Sequence, residues 1–296
     1  MNAMERLNKM MKQKNSRICA GIDPEFEKLP TELKEKNISK EEAIFEFCRE
    51  YINTIYDYVS AVKINVAFFE TKNLFPIYRE IAKYAKNLGL FVIGDLKRAD
   101  IGSTAEAYAK DWLGAEEPFD CITINPYFGT DGIKPFVEVA AENGKGVFVL
   151  AKTSNKSSEE IQNQMLFETR DYVYEKVADL IVNWGNIVSK GEKYSPVGAV
   201  VGATHPKEAE ALRKRMPNTM FLVPGYGAQG ATAEDAVVNF DKEGLGAIIN
   251  SSRGIMYAYS KKHKDIANRF GWKYAIEMAA SESRQDINAA IEKTIK

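Results

Sequence analysis

The chain has 296 residues, of which 45% are hydrophobic and 27% are charged, and its formal net charge is −1. This composition is typical of a soluble globular protein, and the balanced charge gives no electrostatic reason to expect nucleic acid or an anionic membrane as a partner. No run approaches the roughly 18 apolar residues of a membrane-spanning helix, and residues 1–7 lack the apolar segment of a secretory signal.

Eight short apolar runs separated by longer amphipathic stretches predict strands that alternate with helices. The helical pattern is clear over 76–88, where apolar side chains recur with i, i+4, i+7 and i+8 spacing. Near-continuous apolar strands between helices are typical of a parallel sheet, and eight such units in a chain of this length favour a closed barrel. The predicted strands span 18–22, 61–65, 91–95, 121–124, 146–150, 198–201, 221–223 and 247–249.

The stretches between the strands complete the expected fold, a single (β/α)8 TIM barrel of the α/β class. No stretch is rich enough in Pro, Gly or Ser to act as a linker, so we expect residues 1–296 to form one domain. The charged segment 25–40 reads as a solvated connection, and 154–167 as either a surface helix or a mobile loop. Further predicted helices span 103–113, 159–188 and 207–215, and a closing helix follows residue 270.

Cysteine and histidine usage limits the chemistry that the chain can perform. The three cysteines, Cys19, Cys48 and Cys121, are far apart and odd in number, which favours reduced core thiols and a cytoplasmic location. The two histidines, His205 and His263, belong to no cluster with metal-ligand spacing, so we expect no metal site. With so little histidine, proton transfer must rely on Lys, Asp or Glu.

The run 94–101, Gly-Asp-Leu-Lys-Arg-Ala-Asp-Ile, is the most informative feature of the sequence. Side chains alternate along a strand, so Asp95 and Lys97 should point the same way and Leu96 the other. Asp100 follows on the turn that leaves the strand. Because burying charge is costly unless the charges pair, two carboxylates and an ammonium gathered here indicate chemistry rather than packing.

Polar residues also end most of the other predicted strands. In a barrel, the carboxyl ends of all strands meet at one rim, which is where the active sites of this fold lie. Isolated members could instead serve structure: Lys63 or Asp23 as half of an ion pair, and Thr153 with Ser154 as a helix cap. The strand-end residues are Asp23, Lys63, Asn65, Asp95, Lys97, Asn125, Thr153 and Ser154.

The loops after the seventh and eighth strands read as a phosphate site. They contain 224–227, Pro-Gly-Tyr-Gly, and 251–254, Ser-Ser-Arg-Gly. Glycine lets backbone N–H groups approach an anion, a following helix start adds its dipole, and Arg253 can hold phosphate oxygens bidentately. Turns need glycine anyway and Gln229 could be an ordinary turn residue, but Arg253 at this place favours the phosphate interpretation.

These motifs resemble the orotidine 5′-phosphate decarboxylase family, specifically its longer subgroup. The family hallmark is Asp-x-Lys-x-x-Asp-Ile with Thr three residues after the Ile, and the sequence has it as Asp95, Lys97, Asp100, Ile101 and Thr104. The resemblance runs from about residue 17 to about residue 260. It also includes the segments 21–24, 63–65, 153–154, 224–230 and 252–254.

The resemblance implies a (β/α)8 homodimer that converts orotidine 5′-monophosphate to UMP and CO2 without a cofactor. It further implies that each site borrows Asp100, Ile101 and Thr104 from the neighbouring subunit. On this basis the expected partners are the nucleotide substrate and a second copy of the chain, with no nucleic acid and no membrane.

The resemblance also suggests a role for each residue. Lys97 would stabilise and protonate the carbanion at C6, with Asp95, Asp100 and Lys63 completing the charged array. Asp23 would hold the ribose, Ser154 the pyrimidine edge, and Gln229 with Arg253 the phosphate. The other residues assigned to the substrate site are Asn65, Thr153, Pro224 and Ser252.

Three other functions remain open at this point. A metal-dependent keto-sugar-phosphate decarboxylase or aldolase could use a similar Asp-x-Lys-x-x-Asp run on the same barrel. A lyase could form a Schiff base through Lys97 or Lys63. A protein without catalytic activity could use the same rim only to bind a phosphorylated ligand.

Overall fold

The computed structural model describes residues 1–70 and 72–295. Within them, eight strands form a closed parallel barrel in which neighbours in the chain are neighbours in the sheet and the last strand pairs with the first. The predicted (β/α)8 TIM barrel is therefore confirmed. The strands are β1 (Ile18–Ile22), β2 (Ala61–Asn65), β3 (Phe91–Arg98), β4 (Cys121–Ile124), β5 (Gly146–Lys152), β6 (Val197–Val201), β7 (Phe221–Val223) and β8 (Ala247–Ser251).

Helices lie between the strands and beyond both ends of the barrel. A capping box, with Ser39 and Glu42 bonded reciprocally, begins the long helix after β1. The helices are α1 (Ala3–Lys14), α2 (Thr31–Lys34), α3 (Lys40–Ile55), α4 (Phe75–Asn87), α5 (Gly102–Leu113), α6 (Gly129–Glu142), α7 (Glu159–Gln162), α8 (Val173–Val188), α9 (Pro206–Arg215), α10 (Ala233–Val237), α11 (Arg253–Met256), α12 (Lys264–Phe270) and α13 (Trp272–Thr294).

Two hydrophobic cores hold the fold together. The larger core lies between the outer faces of the strands and the surrounding helices, as the two-sided burial of a parallel sheet requires. The smaller core fills the barrel interior, where Phe91, Phe148 and Ile248 pack with Met4 and Leu7 of α1. Since α1 packs at the start of the strands, the barrel interior is closed at that end.

Helix α1 is an element that the sequence patterns did not predict. Its buried side chains fit the interior closely, because a Cβ on Gly146 at the start of β5 would lie 3.1 Å from the Met4 side chain. Arg6 and Glu5 attach the same helix by hydrogen bonds to the carbonyl of Gly144 and the backbone N–H of Tyr194. Any site in the interior must therefore open at the opposite, carboxyl end of the strands.

Several element boundaries differ from the sequence predictions. Strands β3, β5 and β8 extend by two or three residues, because Arg98, Lys152 and Ser251 at their ends still pair with the neighbouring strands. The predicted helix 159–188 is wrong in its middle, where α7 ends at Gln162 and a bridge joins Met165 to Tyr172 before α8 begins. Segment 25–40 is more than a solvated connection, since it contains α2.

The C-terminal helix and the three cysteines complete the fold. Helix α13 packs against α3, α10 and α12, which confirms a closing C-terminal helix. All three cysteines are buried free thiols. Across the described residues, no helix combines the length and the apolar character needed to cross a bilayer.

Candidate active site

A buried ion-pair array lies where β2 and β3 end. The Nζ atom of Lys63 lies 2.5 Å from Oδ2 of Asp95, and Nζ of Lys97 lies 2.5 Å from Oδ1 of the same carboxylate. The side chains of Lys63 and Asp95 are 8% and 7% exposed, whereas that of Lys97 is 50% exposed. One carboxylate thus holds two ammonium groups, and only Lys97 remains substantially open to a ligand.

The charges in this array perturb one another strongly. Burial alone would raise the pKa of Asp95, but the ammonium groups of Lys63 and Lys97 outweigh it and hold the pKa far below its usual range. Burial alone would lower the pKa of Lys63, but the carboxylates of Asp95 and Asp23 raise it to about 12. Both groups are therefore ionised over the whole physiological range.

The backbone of β3 departs from regular pairing at the array. Gly94 pairs with Ile122 and Arg98 with Ile124, so residues 95–97 face Thr123 alone. Lys97 has a φ of 50°, in the left-handed region that lysine rarely adopts. The predicted alternation still holds for Leu96, which packs into the outer core, but the bulge determines where Lys97 points.

The array opens into a cavity of about 420 Å³ at the carboxyl ends of the strands. Most of the residues predicted for the site line it: Asp23, Lys63, Asp95, Lys97, Thr153, Ser154, Pro224, Gln229, Ser252 and Arg253. Gly225, Tyr226 and Ala228 also line it and belong to the predicted phosphate loop or its continuation to residue 230. The prediction did not include the lining residues Thr123, Leu150, Asn155, Val200, Leu222 and Asn250. The cavity therefore combines a charged side with apolar side chains from β5, β6 and β7.

Two buried polar atoms in this cavity have no hydrogen-bond partner among the described residues. They are Oδ1 of Asp23, just after β1, and Oδ1 of Asn250 on β8. Buried polar groups are nearly always paired, so such atoms favour a ligand with complementary donors. Asn250 was missed because it follows an apolar run, although it lies two residues after the interior-facing Ile248.

The loop after β7 has the backbone conformation that the phosphate interpretation needs. Gly225, Gly227 and Gly230 all have positive φ, between 70° and 108°. The Oη atom of Tyr226 donates to Oδ2 of Asp286 over 2.6 Å, which ties the loop to α13. The exposed Arg253 lines the same cavity. Because α10 and α11 have only 5 and 4 residues, helix dipoles contribute little here.

The segment after β5 is held by its own side chains. Gln162 accepts a hydrogen bond from the backbone N–H of Thr153 over 3.0 Å and donates to its hydroxyl over 2.7 Å. The hydroxyl of Thr204 donates to the backbone carbonyl of Ser154 over 3.1 Å. These bonds place the residue pair Thr153 and Ser154 at the cavity edge and attach the 154–167 segment beside it.

Four residues predicted for the site lie outside this cavity. Asn65 caps a short 3-10 helix by accepting a hydrogen bond from the N–H of Ala67 over 3.1 Å. Asp100 accepts a bond from the N–H of Ile101 over 2.8 Å, and Ile101 itself is 54% exposed. Thr104 is exposed in the first turn of α5. A single subunit therefore does not bring Asp100, Ile101 and Thr104 to its own array.

Histidine, cysteine and carboxylate side chains are the usual protein ligands of metal ions. Within residues 1–70 and 72–295, no three His, Cys, Asp or Glu side chains are grouped as a metal site requires. His205 lies in the loop just before α9, and burial together with nearby Lys152 lowers the pKa of its imidazole. The charged groups of the cavity are thus lysine, aspartate and arginine.

This fold and this site define a class of protein, the TIM-barrel enzymes, whose active sites lie at the carboxyl ends of the strands. Comparison with known families is more specific. The chain belongs to the orotidine 5′-phosphate decarboxylase / HUMPS family, whose model matches residues 16–265. The resemblance inferred from the motifs is therefore confirmed.

Individual relatives cover almost the whole chain. An orotidine 5′-phosphate decarboxylase of Caldicellulosiruptor bescii is 40% identical over 312 residues, which cover 98% of this chain and 99% of the relative. One of Petrotoga mobilis is 39% identical over 279 residues, covering 94% and 95%. The solved OMP decarboxylase of Leishmania donovani is similar with a TM-score of 0.75 and 31% identity, covering 98% of this chain and 99% of that one.

Proposed function

We propose that this chain decarboxylates orotidine 5′-monophosphate to UMP and CO2, using only its own side chains. The observation that carries the proposal is the array of Lys63, Asp95 and Lys97 opening onto one cavity with the glycine-rich loop and Arg253. Curated relatives of this length and identity bear the same activity in their names.

Lys97 is the central group of the proposed mechanism. The bond from C6 of the pyrimidine to the carboxylate breaks, CO2 leaves, and the electron pair stays on C6. The Lys97 ammonium stabilises this charge and donates its proton to C6, after which the amine takes a proton from solvent. Lys97 suits this role because its side chain is the half-exposed member of the array.

The other charges keep Lys97 in place before the reaction starts. Enzymes lower barriers by ~8–23 kcal/mol, and a fixed array supplies part of this because it need not reorganise. At an effective dielectric of ~20, two charges near 4 Å interact by ~4 kcal/mol. Lys63 offsets the charge of Asp95, so the carboxylate can stay ionised and buried between two ammonium groups.

The carboxylate of Asp95 also has a proposed effect on the substrate. It lies at the cavity wall beside Lys97, where the leaving carboxylate must approach. Two carboxylates close together repel, and this repulsion is relieved when neutral CO2 departs. Asp95 would therefore act on both the bound substrate and the ammonium group.

The rest of the nucleotide would be held at the cavity rim. Arg253 and Gln229 bind the phosphate with the positive-φ loop between β7 and α10. The Oδ1 atom of Asp23, which has no hydrogen-bond partner within the described part of the chain, accepts from a ribose hydroxyl, and Ser154 bonds the pyrimidine edge. Binding energy from the phosphate is remote from C6, yet it can be spent on orienting the reacting carbon.

We propose that two copies of the chain share each site. Ile101, Tyr127 and Phe128 are 54%, 84% and 50% exposed on the loops after β3 and β4. The carbonyl of Asp100 and Cβ of Phe128 both lie within 3 Å of where a Cβ of Gly132 would be, so the two loops are adjacent. A partner covering this surface would receive Asp100, Ile101 and Thr104.

Two further expectations accompany this function. The free thiols of Cys19, Cys48 and Cys121 support a reducing compartment, and we propose the cytoplasm. We also propose that residues 1–296 act as one barrel domain. Asn65, which caps a turn beside Asp95 in the ladder, would support the site rather than touch the nucleotide.

The deciding experiment is an absorbance assay with purified, EDTA-treated protein and orotidine 5′-monophosphate. Loss of substrate absorbance and formation of UMP are expected, and the Lys97→Ala variant should show neither. A protein that turns over only after a divalent metal is restored would indicate the keto-sugar-phosphate chemistry instead. Trapping of a substrate adduct on Lys97 or Lys63 by borohydride would indicate a Schiff base. Binding of nucleotide with no turnover under any condition would indicate a protein that only binds.

A further inference from the structure

Thr123 on β4 lines the cavity but has no part in the mechanism above. The residue is 1% exposed, and its Oγ1 donates to Oδ1 of Asp95 over 2.9 Å. The Oγ1 atom of Thr123 also accepts a hydrogen bond from the backbone N–H of Lys97 over 3.0 Å. A carboxylate can only accept and a backbone N–H can only donate, so the single hydroxyl hydrogen must point to Asp95. Both hydrogen bonds therefore have a fixed direction.

The bulge in β3 explains why a hydroxyl is needed at this place. Residues 95–97 face Thr123 alone, so the register shift leaves the backbone of Lys97 out of alignment with the carbonyls of β4. A buried N–H without a partner is costly. The Thr123 hydroxyl supplies the missing acceptor, and the ladder resumes where the N–H of Asn125 bonds the carbonyl of Arg98 over 2.9 Å.

The conformation of Lys97 gives the same hydroxyl a second task. A side-chain-bearing residue at φ 50° is strained and persists only where its surroundings hold it. The Lys97 side chain is 50% exposed, so packing alone does not hold it. The residue is instead fixed at two atoms, its backbone N by Thr123 and its Nζ by Asp95, and Thr123 also fixes Asp95.

We propose that, given the decarboxylation proposed above, Thr123 is the positioning residue that aims the Lys97 ammonium at C6. It does so by bonding the left-handed backbone of Lys97 and the carboxylate of Asp95 through one oxygen atom. Without the hydroxyl, the bulge can relax and Lys97 loses its approach to the reacting carbon. The phosphate and ribose contacts of the nucleotide do not involve Thr123 and should survive.

The test compares Thr123→Val, which keeps the shape and removes the hydroxyl, with Thr123→Ser, which keeps the hydroxyl. Loss of hydrogen bonds to a charged array should lower kcat of Thr123→Val by roughly tenfold to a hundredfold, with KM and UMP affinity close to wild type. Thr123→Ser should recover most of kcat. Thr54→Val is the matched control, since the Thr54 hydroxyl donates to the carbonyl of Glu50 within α3 and the residue does not line the cavity, so this variant should leave kcat unchanged.

Each alternative result has a defined meaning. If wild type is active and Thr123→Val has the same kcat, the positioning role is rejected and the decarboxylase proposal stands. Equal losses of kcat and UMP affinity, or a Thr123→Ser variant as slow as Thr123→Val, would show that Thr123 is merely structural. An inactive wild type would reject both proposals. Thr123→Ala, which cannot overpack, replaces Thr123→Val if thermal denaturation shows that the latter is unfolded, and failure of both to fold would also reject the role.

Discussion

The Nζ atom of Lys63 on β2 lies 2.5 Å from Oδ2 of Asp95 on β3, although the ladder pairs Lys63 with Ile93 rather than with Asp95. The contact is thus diagonal: Lys63 reaches past its ladder partner Ile93 to Asp95, the next residue on β3 that faces the barrel interior. Both side chains are more than nine-tenths buried. Each charge has lost most of its water, so the stability of this part of the barrel depends on keeping both.

The Lys63–Asp95 pair predicts that folding stability changes with pH in opposite directions in wild type and in Asp95→Asn. In wild type, the pKa of Lys63 is raised to about 12, so its stabilising contribution is complete below the unfolded pKa of ~10.4 and is lost only as pH rises toward 12. In Asp95→Asn, burial dominates and should hold the pKa of Lys63 below its unfolded value. The unfolded state then binds more protons, and stability rises with pH up to ~10.4.

Chemical denaturation at several pH values between 7 and 10 measures this difference. Removing one partner of a buried pair costs about 3–5 kcal/mol, so Asp95→Asn should be much less stable than wild type at pH 7 and should recover part of the loss by pH 10. Wild type should show no such gain from this pair. The double variant Lys63→Met/Asp95→Asn lacks both members of the pair and is the control, because the pKa shift of Lys63 cannot contribute to its stability. Parallel stability curves for wild type and Asp95→Asn would contradict the assignment.

Removing the charge of Lys97 or of Lys63 should lower activity in both cases, but only the loss of Lys63 should also lower stability substantially. Lys97→Met removes a half-exposed ammonium, so we expect a stability change within about 1 kcal/mol but a fall in kcat of at least roughly a thousandfold. Lys63→Met leaves Asp95 buried with only Lys97, so it should lower both stability and activity. Melting curves and absorbance assays on both variants would decide. A Lys97→Met variant with kcat near wild type would remove Lys97 from the mechanism.

The sequence predicted the order of the strands and the rim because both follow from local patterns. Apolar runs mark the strands, and the alternation of Asp95 and Lys97 placed them together. The features that the sequence could not predict depend on how neighbouring strands pair. The register shift that gives Lys97 its positive φ is set by β4, and nothing in residues 94–101 signals it. Helix α1 was missed although Met4, Leu7 and Met11 recur with helical spacing; only its role of closing the barrel depends on the assembled fold.

Two site residues had a signal that was too weak to use. Thr123 lies in the four-residue strand β4, whose other members are Cys, Ile and Ile, so it reads as part of an apolar run. Asn250 lies in a similar run in β8. In both strands, alternation from Cys121 and Ile248 identifies the residues that face the barrel interior. A polar residue on that face near the carboxyl end of the strand was the sign of a site residue.

If Arg253 binds the phosphate, its removal should weaken the binding of ligands that carry a phosphate and not of those that lack one. Arg253→Ala should weaken UMP binding by roughly tenfold to a hundredfold, since a charge-assisted bidentate contact is lost, while uridine affinity should not change. Calorimetric titration of both ligands measures the difference. Arg269→Ala, which removes an exposed arginine of α12 outside the cavity, is the matched control. Equal weakening of UMP and uridine would place Arg253 away from the phosphate.

Subunit mixing tests whether sites are shared between two copies of the chain. Asp100 lies outside the cavity of its own subunit, whereas Lys97 lines it. If Asp100 serves the partner, Asp100→Asn and Lys97→Ala should each be inactive alone. In a mixed dimer one of the two sites then receives native Lys97 from one chain and native Asp100 from the other.

Random exchange makes half of the dimers mixed, and each of these has one native site, so activity should recover to about a quarter of wild type. The matched control mixes Lys97→Ala with Asp95→Asn. Both of those residues belong to the cavity of the same subunit, so one site of the mixed dimer lacks Lys97, the other lacks Asp95, and no recovery is expected. Differently tagged subunits verify the exchange. If verified mixed dimers of the first pair stay inactive, Asp100 does not complete the neighbouring site.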